Sequence, residues 1–101
     1  MRLMIMFDLP TETSEERRAY RKFRKDLINE GFSMLQFSVY ERVCVSKTNA
    51  KFLEDRIRKI TPPKGIVQAF MLTEKQYSDM HFLVGNPIED VRNNSERTII
   101  L

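Results

Sequence analysis

Cysteine is almost missing from this chain. The single one, Cys44, lies in the apolar stretch Val43-Cys44-Val45, which excludes a disulfide within the chain. A lone cysteine among apolar neighbours reads as a small core residue rather than a nucleophile. Histidine is as scarce. His81 alone excludes a histidine cage or triad within one chain, and it is expected to pack in the last core strand or at its rim. No glycine-rich phosphate loop and no serine nucleophile motif is present. No apolar run approaches the length of a membrane span. The N-terminus has one arginine, a short apolar run and then an acidic segment, which is not a signal-peptide pattern. The expectation is a cytoplasmic protein with no membrane partner, free of internal repeats, low-complexity segments and linkers.

What is present is ordinary in amount and informative in arrangement. At 101 residues the chain is one domain, 1–101, with a single core. With 42% hydrophobic and 31% charged residues it is globular rather than disordered. A net charge of +3 is too small to choose a partner, so the distribution of charge has to be read instead.

The first strand is the run Leu3-Met4-Ile5-Met6-Phe7, apolar at both parities of the pleat and therefore suited to burial on both faces. Pro10 lacks an N–H and fixes φ, so it stops the strand. Asp8 is left at the rim of a sheet. Two readings stand there: a turn residue before proline, or a carboxylate placed for chemistry.

Thr13 followed by Glu16 fits a capping box, and a helix runs from there to about Glu30, with Gly31 closing it. Ala19, Tyr20, Phe23 and Leu27 form its apolar stripe. Phe32 to Val45 reads as two strands joined tightly around Ser38, or one bent strand. Ser46 or Thr48 caps a second helix with the stripe Ala50, Leu53, Ile57 and Ile60, ended by Pro62-Pro63. Gly65 to Leu72 is a strand apolar on both faces, and Tyr77 to Val84 is a shorter strand. A C-terminal extension, 85–101, ends in Ile99-Ile100-Leu101 and is expected to add an extra strand on a partner subunit.

The order β-α-β-β-α-β implies an α+β, ferredoxin-like sandwich, an antiparallel sheet with both helices on one face. The other face would expose a large apolar patch, uncommon in a monomer, so a homodimer is expected.

From Arg17 to Lys25 there are six basic residues and no acidic one. Arg17, Arg18, Arg21, Lys22 and Lys25 lie opposite the apolar stripe, and Arg24 flanks it. A charge run is commonly a solvated helix face. Without interleaved acids the usual i,i+4 compensation is missing, and contact with a phosphate backbone is favoured. Asp8 has no carboxylate near it in sequence, since Asp26, Asp55, Asp79 and Asp90 fall in other elements. A two-fold axis bringing two copies of Asp8 together would let the pair share one Mg²⁺.

Several segments together resemble a known family. Met4-Ile5-Met6-Phe7-Asp8-Leu9-Pro10, the basic helix, Gly31-Phe32 and Gln36-Phe37-Ser38-Val39-Tyr40-Glu41 are similar to the small subunit of the CRISPR adaptation machinery, the CRISPR-associated "Cas two" family. The resemblance spans the chain. It implies ferredoxin-like homodimers that sit between CRISPR integrase dimers and support double-stranded DNA awaiting insertion as a new spacer. It also implies a metal-dependent endonuclease of single-stranded RNA or duplex DNA, with Asp8 as catalytic residue and Mg²⁺ ligand and with Arg17 and Arg18 as the basic residues after the first strand. Some members carry arginine two residues before the glutamine, where this chain has Met34, a departure that favours duplex support over hydrolysis. Two functions thus remain: a DNA-binding scaffold for spacer integration, or a Mg²⁺-dependent, toxin-like nuclease. A third, an RNA-recognition module, lacks the aromatic stacking pattern on Val39 to Val45.

Overall fold

The computed structural model describes residues 1–85. Its elements are β1 (Arg2–Asp8), α1 (Ser14–Asn29), β2 (Ser33–Gln36), β3 (Val39–Val43), α2 (Lys47–Arg58), β4 (Ile66–Leu72) and α3 (Glu74–Ser78). The strands form one sheet in the order β2-β3-β1-β4, and every pairing is antiparallel. This is the α+β, ferredoxin-like arrangement the element order implies. β1 is internal to the sheet, and its apolar residues of one parity face the helices while those of the other lie on the opposite face.

Leu3, Ile5 and Phe7 of β1 point to one face and are buried with Phe23 and Leu27 of α1 and Ala50, Leu53 and Ile57 of α2. Both long helices therefore cover the same face. Phe7 anchors this core: its ring lies 5.1 Å from Phe23 and 5.9 Å from Tyr20, both edge-on, and stacks 5.7 Å from Tyr40. Such pairs add roughly 0.5–1.5 kcal/mol each beyond the area they bury. Cys44 is buried beside them, as a small core residue should be.

Local chemistry sets the helix ends. The Thr13 hydroxyl accepts from the Glu16 amide and the Glu16 carboxylate accepts from the Thr13 amide, both at 3.0 Å, so the capping box is complete. Ser46 caps α2 by accepting from the Asn49 amide at 3.1 Å. Between β2 and β3, Phe37 and Ser38 alone make the turn, and Ser38 takes the left-handed φ of 65°. The two-strand reading of Phe32 to Val45 holds.

The opposite face of the sheet carries Met4, Met6 and Asp8 of β1 beside Ile66, Gln68 and Phe70 of β4. Met6, Val43, Ile66 and Phe70 on that face are 36%, 60%, 59% and 38% exposed.

One element departs from the sequence reading. No strand covers Tyr77 to Val84; the chain forms the short helix α3 and then runs on without regular structure through His81, which is exposed rather than part of a core strand. The β-forming residues Tyr77, Phe82 and Val84 point to a strand, but Thr73 and Gln76 form a second capping box. Gln76 Oε1 accepts from the Thr73 amide at 2.9 Å and Thr73 Oγ1 from the Gln76 amide at 3.1 Å. Satisfying two orphan backbone donors at once starts a helix there. The expected C-terminal strand and its docking on a partner lie outside the described residues beyond Gly85. No helix among the described residues is long and apolar enough to cross a membrane.

Candidate nucleic-acid interface

Asp8 closes β1 with its side chain exposed, on the face away from the helices. Its neighbours on both sides fix its position. On one side it pairs with Ile66, directly after Gly65, whose φ is +96°. A Cβ at Gly65 would meet the Asp8 carbonyl oxygen at 2.7 Å and Leu9 Cδ2 at 2.8 Å. Only glycine allows β4 to start this close to the Asp8 backbone. On the other side the Phe7 amide donates to the Ser38 carbonyl at 3.0 Å, which ties the β2–β3 turn to the same end of β1. Gly65→Ala should cost about 1–3 kcal/mol, from a strained φ and a backbone clash together. It would appear as a lowered urea midpoint with an unchanged slope, whereas an unchanged midpoint would mean that the approach is not needed.

Does this rim fit a metal ion? The described residues hold no group of three or more His, Cys, Asp or Glu side chains able to bind one. Asp26 pairs with Lys22 at 2.8 Å, Asp55 with Lys51 at 3.6 Å and Asp79, at the C-cap of α3, with Lys75 at 3.6 Å, each one helical turn away. Asp90 lies outside the described residues. Mg²⁺ keeps several waters and is commonly held by one or two carboxylates together with substrate phosphates. One Asp8 supplies one carboxylate, so the ion fits only if a second Asp8 or a phosphate joins it.

The basic residues of α1, Arg17, Arg18, Arg21, Lys22, Arg24 and Lys25, are all exposed. They are not equivalent. Arg17 Nη1 donates to the carbonyls of Thr11 and Glu12 at 3.1 and 2.9 Å, so it braces the loop leading from Asp8. Lys22 is held by Asp26, which lies just beyond the acid-free run and restores one i,i+4 compensation. Burial pushes the Tyr40 hydroxyl up from its ordinary pKa, and the positive charge of nearby Arg24 opposes that shift. Arg18, Arg21 and Lys25 carry no such tie among the described residues and leave the helix face positive.

A second polar constellation, missed in the sequence, sits at the far end of the open face. Arg2 Nη1 donates to Glu41 Oε1 at 2.8 Å, and the Tyr77 hydroxyl donates to Glu41 Oε2 at 2.8 Å. The Arg2 guanidinium lies 3.8 Å over the Tyr77 ring, and Glu74 takes hydrogen bonds from Arg2 and the N-terminal ammonium. Burial works against the charged form of Arg2, yet its bond to Glu41 leads a set of interactions that leaves its pKa raised. This network seats α3 on the sheet. The one signal in the sequence was a charged residue, Glu41, at an interior strand position.

Comparison with known proteins places the chain. Residues 1–80 match the family model described as CRISPR associated protein Cas2. A Ligilactobacillus salivarius protein named CRISPR-associated endoribonuclease Cas2 is 68% identical over 101 residues, covering all of both chains. A Lacticaseibacillus rhamnosus protein of the same name is 56% identical over 101 residues, again covering both. A solved structure, the crystal structure of Streptococcus pyogenes Cas2 at pH 6.5, matches with a TM-score of 0.62 at 20% identity. It covers 83% of this chain and all of that one, and at such identity it speaks for the fold alone.

Proposed function

Since the chain belongs to the Cas2 family of CRISPR-associated proteins, we propose that it serves CRISPR defence as a homodimeric DNA-binding subunit of the adaptation complex, holding the duplex that an integrase inserts as a spacer. The observation that carries this reading is the exposed face of α1, where Arg18, Arg21 and Lys25 stand without ion-pair partners among the described residues. Phosphates are bound by positive charge and shape, and a rigid helix presenting cations at regular spacing supplies both. The exposed apolar residues of the open face, Met6, Val43, Ile66 and Phe70, favour burial against a second copy. Two copies would then present two basic helices to one duplex.

A second reading follows from Asp8. The relatives above are named endoribonucleases, and Asp8 is exposed at the strand end, within reach of a solvent-borne substrate. Mg²⁺ held by two copies of Asp8 would supply Lewis-acid activation of a phosphodiester. The chain's own part is to fix the carboxylate, through Gly65 and the Ser38 turn, and to hold the backbone with nearby cations. No group of three or more metal-ligating side chains accompanies Asp8 among the described residues, so duplex support stands first.

The test is to mix the pure protein with the integrase encoded beside it and to measure co-elution and spacer integration, after sizing the protein by light scattering. Co-elution of a dimer near twice 12.0 kDa, with integration depending on it, is the expected result. A monomer that neither co-elutes nor supports integration, yet cleaves RNA with Mg²⁺, would put the nuclease first.

A further inference from the structure

A groove of about 580 Å³ opens beside the first turns of α1, on the helix side of the sheet. Its apolar lining is Leu9, Pro10, Ala19, Tyr20, Pro62 and Pro63. Both walls are held in place. Pro10, Pro62 and Pro63 are fixed in φ and have no N–H to donate. Arg17 braces the loop after β1 through the Thr11 and Glu12 carbonyls. Gly65 lies against Leu9, which pins the loop carrying Pro62 and Pro63. A surface fixed in this way loses little freedom when a partner covers it. The charge around the groove is unfavourable to phosphate. Glu12, Glu15 and Glu16 stand at the entry to α1, and its cations begin only at Arg17. Glu16 is spent on the capping box. The Thr13 amide is the main cause of its lowered pKa, and Lys64, the cation of the groove wall, adds to it. Glu15, exposed on that wall, has no ion-pair partner among the described residues.

We propose that this groove is a docking site for the integrase, seating an apolar side chain of that partner while Glu15 receives a lysine or arginine beside it. The proposal rests on the adaptation-complex reading above and names the surface that complex would use. An apolar anchor in a fixed pocket with a charge at its rim concentrates binding energy and sets the register of a protein contact. A dimer formed through the open face leaves the groove accessible, because the two lie on opposite sides of the sheet. One helix then serves two partners. Its acidic start meets protein, and the basic turns that follow meet phosphate.

The experiment measures the affinity of the full chain for the integrase encoded beside it, by titration calorimetry, with duplex DNA binding and oligomeric state followed in parallel. Glu15→Lys, which reverses the rim charge, and Ala19→Gln, which fills the groove, should each weaken integrase binding by about 10-fold or more. Ala19→Gln should bind duplex DNA as wild type does, since it changes no charge. The urea midpoint of each variant checks the fold. If Ala19→Gln unfolds, Glu15→Lys decides alone, because its side chain is exposed. Three results would overturn the proposal: wild-type integrase affinity in a folded variant, an equal loss of duplex binding in Ala19→Gln, or a changed oligomeric state. The last would make the groove a contact between copies of this chain. Failure of the wild-type protein to bind the integrase at all would instead remove the underlying reading, which separates the two failures.

Discussion

A variant with alanine at Arg18, Arg21 and Lys25 together should bind duplex DNA on the order of 10²-fold more weakly at physiological salt. Each phosphate contact on B-DNA contributes a slope of about −0.9 in log affinity against log salt. Removing three contacts should flatten the slope by about 2.7 units, and that change, extrapolated from molar salt, gives the loss in affinity. The loss should be even across sequences, because phosphates carry none of the base information. The fold should survive, since all three residues are exposed and alanine is the best helix former. Arg17→Ala is a different perturbation. It removes two hydrogen bonds to the loop after Asp8, so its effect mixes lost charge with a loosened rim. Lys22→Ala should do less than any of the three, as Asp26 already offsets its charge. An unchanged salt slope in the triple variant would place the duplex elsewhere, with the loop around Pro62-Pro63, flanked by Lys59 and Lys64, the next surface to test.

The features legible in the sequence were those written in local periodicity and in capping chemistry. β1 was readable because its continuous apolar run, Leu3 to Phe7, is stopped by Pro10. α1 was readable because Thr13 and Glu16 announce its start and Phe23 and Leu27 recur at helical spacing. Even the turn at Ser38 showed as a polar break between β-forming segments. α3 was obscured by a conflict between levels: Tyr77, Phe82 and Val84 are β-formers, whereas Thr73 and Gln76 start a helix that a strand reading passes over. The Arg2–Glu41–Tyr77 network left only Glu41, a charged residue inside a strand, as a local sign, since its members are 39 and 36 residues apart in the chain. Only the fold brings them together.

The site divides in the same way. Pro10 revealed that Asp8 ends its strand, but the close approach of Gly65 and the bond from Phe7 to Ser38 are tertiary facts. The basic run was visible as composition. Which of its members stay unpaired depends on Asp26 one turn further on and on the carbonyls of Thr11 and Glu12, and so required the structure.

Asp8→Ala should abolish any Mg²⁺-dependent cleavage while leaving complex assembly and spacer integration nearly intact. Asp8 is exposed, so truncation opens no cavity, and the backbone contacts that shape the rim remain. Supporting a duplex needs cations and shape, neither of which the carboxylate provides. Its negative charge is instead unfavourable toward phosphate and toward the same residue of a second copy, so a neutral side chain relieves repulsion. Hydrolysis has the opposite requirement. Without Asp8, no group of three or more acidic, histidine or cysteine side chains able to hold a metal remains among the described residues. The deciding measurement is integration by this variant against wild type at matched dimer content, with cleavage of single-stranded RNA and duplex DNA assayed in parallel. Integration within about twofold of wild type, with cleavage gone, separates the two activities. A fall in integration of about tenfold, equivalent to about 1.4 kcal/mol of transition-state stabilisation, with assembly intact, would instead place Asp8 in the reaction itself.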